Sequence, residues 1–125
     1  MSRGQGVLDP RAIVDPTASI GDNVTVGAWS IIGEGAHIGS NTVIGPHVVV
    51  QAGSQIGENC RVGPFSVLGA HPLAPAFLDE LSSTDPLTLG DNAMVHAQSR
   101  VVANVPAGLC VAGSPALPVT EGPVI

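Results

Sequence analysis

The stretch that decides the fold is IGDNVTVGAWSIIGEGAHIGSNTVIG, residues 20–45. Within it an aliphatic side chain returns every six positions, at Ile20, Val26, Ile32, Ile38 and Ile44. Outward from there the beat extends back to Leu8 and Val14 and forward to Val50, Ile56, Val62 and Leu68, eleven repeats in phase. Glycine directly follows eight of these aliphatics, and a small residue or valine stands four places after them, among them Ala36, Thr42, Val48, Ser54 and Cys60. So short a fixed period is the signature of a solenoid, and it overrides any helix-or-strand reading of single windows. Ordering six residues costs roughly 6–12 kcal/mol of backbone entropy. Burying one Ile or Val returns about 1.5–3 kcal/mol. A lone hexad therefore cannot fold, and neighbouring coils must supply its hydrogen bonds and contacts.

Three hexads make one coil of 18 residues, so Val26, Ile44 and Val62 are expected to stack in one column. Side chains alternate along a strand, so the residue before each inward aliphatic points outward. One outward column is Ser19, His37 and Gln55; another is Thr25, Val43 and Arg61. The third, Ile13, Ile31, Val49 and Val67, is wholly apolar, and two residues before it runs Arg11, Trp29, His47 and Phe65. A row of exposed aliphatics and aromatics marks an interface, and a homotrimer around this edge is expected.

Composition narrows function. The 125 residues suit one domain, the formal net charge is −6, and aromatics are only 2%. A narrow prism filled by Ile, Val and Ala has no need of bulky aromatics. The strong cations are Arg3, Arg11, Arg61 and Arg100, with no lysine. Binding to nucleic acid needs clustered Lys and Arg, and so does binding to an anionic membrane surface; neither partner is expected. No apolar run is long enough to span a bilayer. The opening MSRGQGVLDP lacks the apolar region of a secretory signal, so a cytoplasmic location is expected. Cys60 and Cys110 make no disulfide framework, and Cys60, on the small inward position, reads as a buried hydrophobe.

The beat divides the chain into repeats at 8–69 and 89–106, an excursion at 70–88 and a Pro-rich closing cap at 107–125, all within one domain spanning 1–125. Asn and Gly at the corners, as in Gly21-Asp22-Asn23 and Gly57-Glu58-Asn59, tolerate the positive φ of a tight turn.

The 20–45 string resembles the hexapeptide-repeat acyltransferases. This resemblance implies an all-β fold, a left-handed parallel β-helix of roughly five coils, built as a trimeric prism. Residues 9–21, DPRAIVDPTASIG, and 44–69, IGPHVVVQAGSQIGENCRVGPFSVLG, are similar to the N-terminal coils of the UDP-N-acetylglucosamine acyltransferases, which use acyl carrier protein as donor. The second half is more similar to the galactoside and maltose O-acetyltransferases, with His71-Pro72, a loop, Leu89-Gly90-Asp91-Asn92 and a closing Val111-Ala112-Gly113-Ser114-Pro115-Ala116. Two positions depart from that pattern: Met94 stands where tryptophan is common and Leu117 where a basic residue is common.

The resemblance implies transfer of an acetyl or acyl group from a thioester of coenzyme A or acyl carrier protein to a hydroxyl or amine of a sugar or sugar nucleotide. It places the general base on His71. Acyl transfer needs little more than a base for the acceptor's proton and a donor for the oxyanion, and a histidine suits the base. His71 also stands where the repeat breaks, beside a long loop of the kind that carries function. His96, where glycine is usual, Asp79 in the loop and Arg100, the cation of the C-terminal half, are the expected substrate-binding residues. Packing is the plainer reading of His47 and a solvated outward position that of His37. The four histidines lack the close pair of the zinc-binding γ-carbonic anhydrases, so no metal is expected. The competing reading is a non-catalytic trimeric scaffold or partner-binding protein.

Overall fold

The computed structural model describes residues 6–69, 87–113 and 116–119. They form sixteen short strands and no helix. The strands fall on three faces of a prism. Sheet A holds β1 (Val7–Leu8), β4 (Thr25–Val26), β7 (Val43–Ile44), β10 (Arg61–Val62), β13 (Met94–Val95), β15 (Cys110–Ala112) and β16 (Leu117–Pro118). Sheet B holds β2 (Ile13–Val14), β5 (Ile31–Ile32), β8 (Val49–Val50), β11 (Val67–Leu68) and β14 (Arg100–Val101). Sheet C holds β3 (Ser19–Ile20), β6 (His37–Ile38), β9 (Gln55–Ile56) and β12 (Thr88–Leu89). All pairings are parallel except β15 with β16, which turns back antiparallel. The chain winds A, B, C through about five coils, as its period implies.

Register follows the sequence columns. Val26 pairs with Ile44 and Ile44 with Val62. Ile13, Ile31, Val49 and Val67 line up on sheet B, and Arg100 continues them. His37 and Gln55 follow Ser19 on sheet C, and Thr88 continues them. The core is the inward half of every hexad: Ile32, Ile38, Ile44, Ile56, Leu68 and Leu89 are each at most 1% exposed. Each coil contributes only a few such side chains, and their stacking makes one continuous core.

Small polar residues at inward corners are satisfied by the next coil. Ser30 Oγ donates to the carbonyl of Gly45 at 2.7 Å and accepts from the N–H of Val48 at 3.0 Å. Thr42 Oγ1 donates to Gly57 O at 2.8 Å and accepts from Cys60 N at 3.2 Å. Ser66 Oγ donates to His96 O at 3.0 Å and accepts from Ser99 N at 3.3 Å. A hydroxyl used this way bridges two rungs of the ladder. Ser54 Oγ is the exception, buried with no hydrogen-bond partner among the described residues.

Two length changes interrupt the 18-residue coil. On sheet A, Thr25 pairs with Val43 and Val43 with Arg61, each 18 positions on, but Arg61 pairs with Met94, 33 positions on. The 15 additional residues lie between β11 and β12, at the corner joining sheets B and C. In the last coil Leu89 bridges Val105 and Val95 pairs with Val111, both 16 positions on. That shortened coil leads into the closing β15–β16 hairpin.

Candidate functional site

The excursion is pinned at both ends by the coils around it. Gly69 N donates to Val101 O at 2.8 Å, and Gln55 N donates to Leu87 O at 2.7 Å. Thr88 N donates to Asn104 Oδ1 at 2.9 Å. His71 and Asp79 lie outside the described residues; in the chain His71 follows Gly69 by two positions.

His96 and Arg100 are both described, on the two sides of the corner joining sheets A and B in the fifth coil. His96 is exposed and Arg100 half-buried. Among the described residues neither donates to the other, and each is held through its backbone. His96 N donates to Val111 O at 3.0 Å, Arg100 N to Gly113 O at 2.9 Å, and Ala116 N to Arg100 O at 2.8 Å. His96 occupies the corner position that is Gly27, Gly45 and Gly63 in earlier coils. A β-carbon on Gly63 would stand 2.5 Å from the backbone N of Ala97. Below His96 the chain enters the closing hairpin instead of another corner of this kind, so a side chain is accommodated there.

His96 lines an open groove on sheet A with Arg61, Met94, Val43, Pro64 and Ala97, a cavity of about 410 Å³. Its floor is apolar and its polar groups are an imidazole and a guanidinium. A second groove, about 310 Å³, lies on sheet C and is lined by His37, Gln55, Thr88 and Asp91. Asp91 is already engaged, since its Oδ1 accepts from Glu58 N at 2.9 Å. Cys60 is chemically quiet. Its thiol donates to Gly90 O at 3.1 Å, and burial pushes its pKa up, keeping it from the reactive thiolate. Among the described residues no group of three or more His, Cys, Asp or Glu is placed to hold a metal ion.

The corner between sheets A and B carries a feature the sequence showed only as an outward column. Arg11, Trp29, His47, Phe65 and Gln98 succeed one another down this edge, one per coil. The Arg11 guanidinium sits 5.8 Å from the Trp29 ring centroid. His47 and Phe65 stack at 4.9 Å with planes 4° apart. Trp29, His47 and Phe65 adopt φ of 66°, 58° and 63°, while the equivalent corners elsewhere use Asn23, Asn41, Asn59 and Asn92 or Gly35, Gly53 and Gly108. Asn and Gly take the left-handed region at little cost, and bulky residues do not. Nothing in the hexad period distinguishes a left-handed aromatic from an extended one, so the strain was not legible in the sequence.

Charge is segregated as well. Of the described cations, Arg11 lies on the A–B corner with His47 and His96, and Arg100 directly follows it, while Arg61 opens β10 straight after the C–A corner. Asp22, Glu58 and Asp91 lie on the C–A corner, and Asp15 and Glu34 on the B–C corner. Asp9, the acid at the A–B corner, is spent on Arg11 at 3.0 Å. The A–B edge thus carries the aromatic rings and two of the three described arginines, while the other two edges carry the remaining described acids.

Comparison with known proteins agrees with the period. The bacterial transferase hexapeptide family model, six repeats long, matches residues 35–70. The acyl-[acyl-carrier-protein]–UDP-N-acetylglucosamine O-acyltransferase of Stutzerimonas stutzeri is 63% identical over 27 residues, 22% of this chain and 10% of that protein. The crystal structure of Neisseria gonorrhoeae serine acetyltransferase matches with a TM-score of 0.69 at 24% identity, over 87% of this chain and 41% of that one. Francisella novicida UDP-N-acetylglucosamine acyltransferase matches with a TM-score of 0.66 at 24% identity, over 75% of this chain and 33% of that one. The chain therefore spans a tenth of the curated relative and less than half of either solved structure. The structural likeness is one of fold, a left-handed parallel β-helix, whose hand reverses the usual crossover between parallel strands. This chain thus matches the hexapeptide family model over residues 35–70 and shares the fold of these solved structures.

Proposed function

We propose that the protein is an acyltransferase that moves an acetyl or acyl group from a thioester of coenzyme A or acyl carrier protein to a hydroxyl or amine of a sugar or sugar nucleotide. The observation that carries this reading is the excursion at the B–C corner. Among the described residues the coil is lengthened at one place, and the sequence inserted there contains both His71 and Asp79. The match to the transferase family model and the stretch shared with the Stutzerimonas O-acyltransferase support the reaction class.

In this reading His71 takes the acceptor's proton as the acceptor oxygen or nitrogen attacks the thioester carbonyl. A backbone N–H steadies the oxyanion. The carbon–sulfur bond then breaks, an ester or amide forms, and the proton passes from His71 to the departing thiolate. Asp79 accepts hydrogen bonds from acceptor hydroxyls, while His96 and Arg100 bind the donor side. The chain works as a cytoplasmic homotrimer packed through the apolar face of sheet B, where Ile13, Ile31 and Val49 are 64%, 42% and 38% exposed. Free side chains of that size in a row are what an interface between copies covers.

Calorimetric titration with acetyl-coenzyme A, with oligomeric mass measured on the same sample, tests the donor. Binding at one site per subunit is expected. His71→Ala should keep that binding and lower transfer by about 10²–10⁴-fold, the ordinary contribution of a general base. No heat with either donor, together with a His71→Ala protein of unchanged behaviour, would overturn the reading in favour of a scaffold.

A further inference from the structure

Sulfur is scarce in this chain, with two methionines and two cysteines in 125 residues. One of each meets on the outer face of sheet A. β13 and β15 run parallel, with Met94 opposite Cys110 and Val95 opposite Val111. Val95 and Val111 are 1% and 3% exposed and fill the core, so by alternation Met94 and Cys110 both face outward. Met94 is exposed and Cys110 half-buried. Adjacent strands lie about 4.8 Å apart, so the two sulfur side chains start as direct neighbours. His96 stands two residues beyond Met94, about 6.6 Å along the chain. It lines the same groove as Met94, and its backbone N–H donates to Val111 O at 3.0 Å, which ties it to the residue after Cys110.

We propose that Met94, His96 and Cys110 form a binding site for a soft monovalent metal ion, Cu(I), on the outer face of sheet A. The three donors are a thioether, an imidazole and a thiol. Soft sulfur ligands select Cu(I), and imidazole suits copper as well. Among the described residues no carboxylate lines the groove beside them, which excludes the oxygen-seeking ions Ca²⁺ and Mg²⁺. Structural zinc takes four donors from Cys, His and carboxylate, and this cluster supplies only Cys110 and His96 of that kind. A count of His, Cys and carboxylates passes over the site because its third ligand is methionine. The unbranched methionine chain adapts its reach to the ion. Arg61 pairs with Met94 from β10, on the side away from Cys110. Its guanidinium does not oppose binding, because the Cys110 thiol releases its proton to solvent as the sulfur–copper bond forms. One positive charge replaces another, and copper remains Cu(I) throughout. The site is independent of the acyl-transfer reading and stands whether or not the protein transfers acyl groups.

The test is an anaerobic titration of the intact protein with Cu(I) against the chromogenic chelator bathocuproine disulfonate, repeated with Met94→Leu, Cys110→Ser and Cys60→Ala proteins. The protein is expected to take one Cu(I) per chain from the chelator. Met94→Leu should weaken that hold by at least about tenfold, since even changes outside the ligand shell of a metal cost about 10–100-fold. Cys110→Ser should abolish it. Cys60→Ala should leave it unchanged, because Cys60 is buried in the core. X-ray absorption at the copper edge should show two sulfur neighbours and one nitrogen. No copper retained by the parent would overturn the proposal, as would equal retention by Cys110→Ser. So would a Met94→Leu protein that binds as tightly as the parent, which would reduce the site to a lone thiol. Met94 and Cys110 stand on the outer face, and a thermal melt of each variant confirms that it is folded.

Discussion

His47 and Phe65, one coil apart, stack in parallel at 4.9 Å while both hold a left-handed backbone. The two effects oppose each other. The backbone costs about 1–2 kcal/mol per residue, and an aromatic pair returns about 0.5–1.5 kcal/mol. The rings therefore add little to the fold. Phe65→Asn is expected to change unfolding free energy by no more than about 1 kcal/mol in either direction, by urea denaturation. A loss of several kcal/mol would mean the ring is structural.

The excursion should be separable from the prism. Replacing residues 70–86 with a two-residue turn removes the 15 extra positions and restores an 18-residue coil between Arg61 and Met94. Such a protein is expected to keep its β-sheet circular dichroism and to melt within a few degrees of the parent, since the length of chain between two strands changes the closure entropy little. It should lose acyl transfer entirely. Collapse of the fold would show that the excursion helps to hold the coils together.

Ser54 Oγ is buried without a partner among the described residues, in a column where earlier coils place Ala18 and Ala36. Removing an unsatisfied buried hydroxyl spares its desolvation cost. Ser54→Ala should stabilise by about 1 kcal/mol, raising Tm by a few degrees. A lower Tm would show that the hydroxyl is engaged.

Val49 stands mid-stripe on sheet B, 38% exposed. Val49→Glu places a charge in the proposed contact, where it would be buried without a counter-ion. Light scattering is expected to show the mass falling from three chains to one while each prism stays folded. An unchanged mass would move the contact elsewhere.

Two exposed carboxylates set an acid limb. The Arg11 side chain, by hydrogen bond, holds Asp9 below its ordinary pKa of 3.8, and the Thr17 hydroxyl does the same for Asp15. A carboxyl whose folded pKa is depressed contributes stability above its unfolded pKa and loses it as pH falls through the folded one. The urea midpoint should therefore drop below about pH 4, and the drop should be shallower in an Asp9→Asn, Asp15→Asn protein. Equal slopes would remove both residues from the acid response.

The fold was legible because one variable, the six-residue period, dictates it. Once Val26, Ile44 and Val62 share a column, the outward residues Thr25, Val43 and Arg61 are fixed as well, and the structure extends the column to Met94. The site was legible only in part. His96 stood out as a break in the glycine pattern, but the reason it fits, the closing hairpin beneath it, depends on where the chain ends its coiling. The gathering of Arg11, His47, His96 and Arg100 around one edge could not be read from an inventory of charges. They are far apart in the chain, and only the winding brings them to the same corner. The shortened last coil, 16 positions instead of 18, was likewise hidden, because a dropped pair of corner residues leaves the apolar beat almost intact.

The re-entry of the chain at Thr88 and Leu89 has a consequence for how such a protein changes over time. After the detour, the strand returns to the rung it would have occupied without one, opposite Gln55 and Ile56. The prism thus acts as a spindle whose thread can leave at a corner, run for any distance and rejoin. New segments can be tried at that exit without renegotiating the core, so architecture and chemistry can be inherited separately.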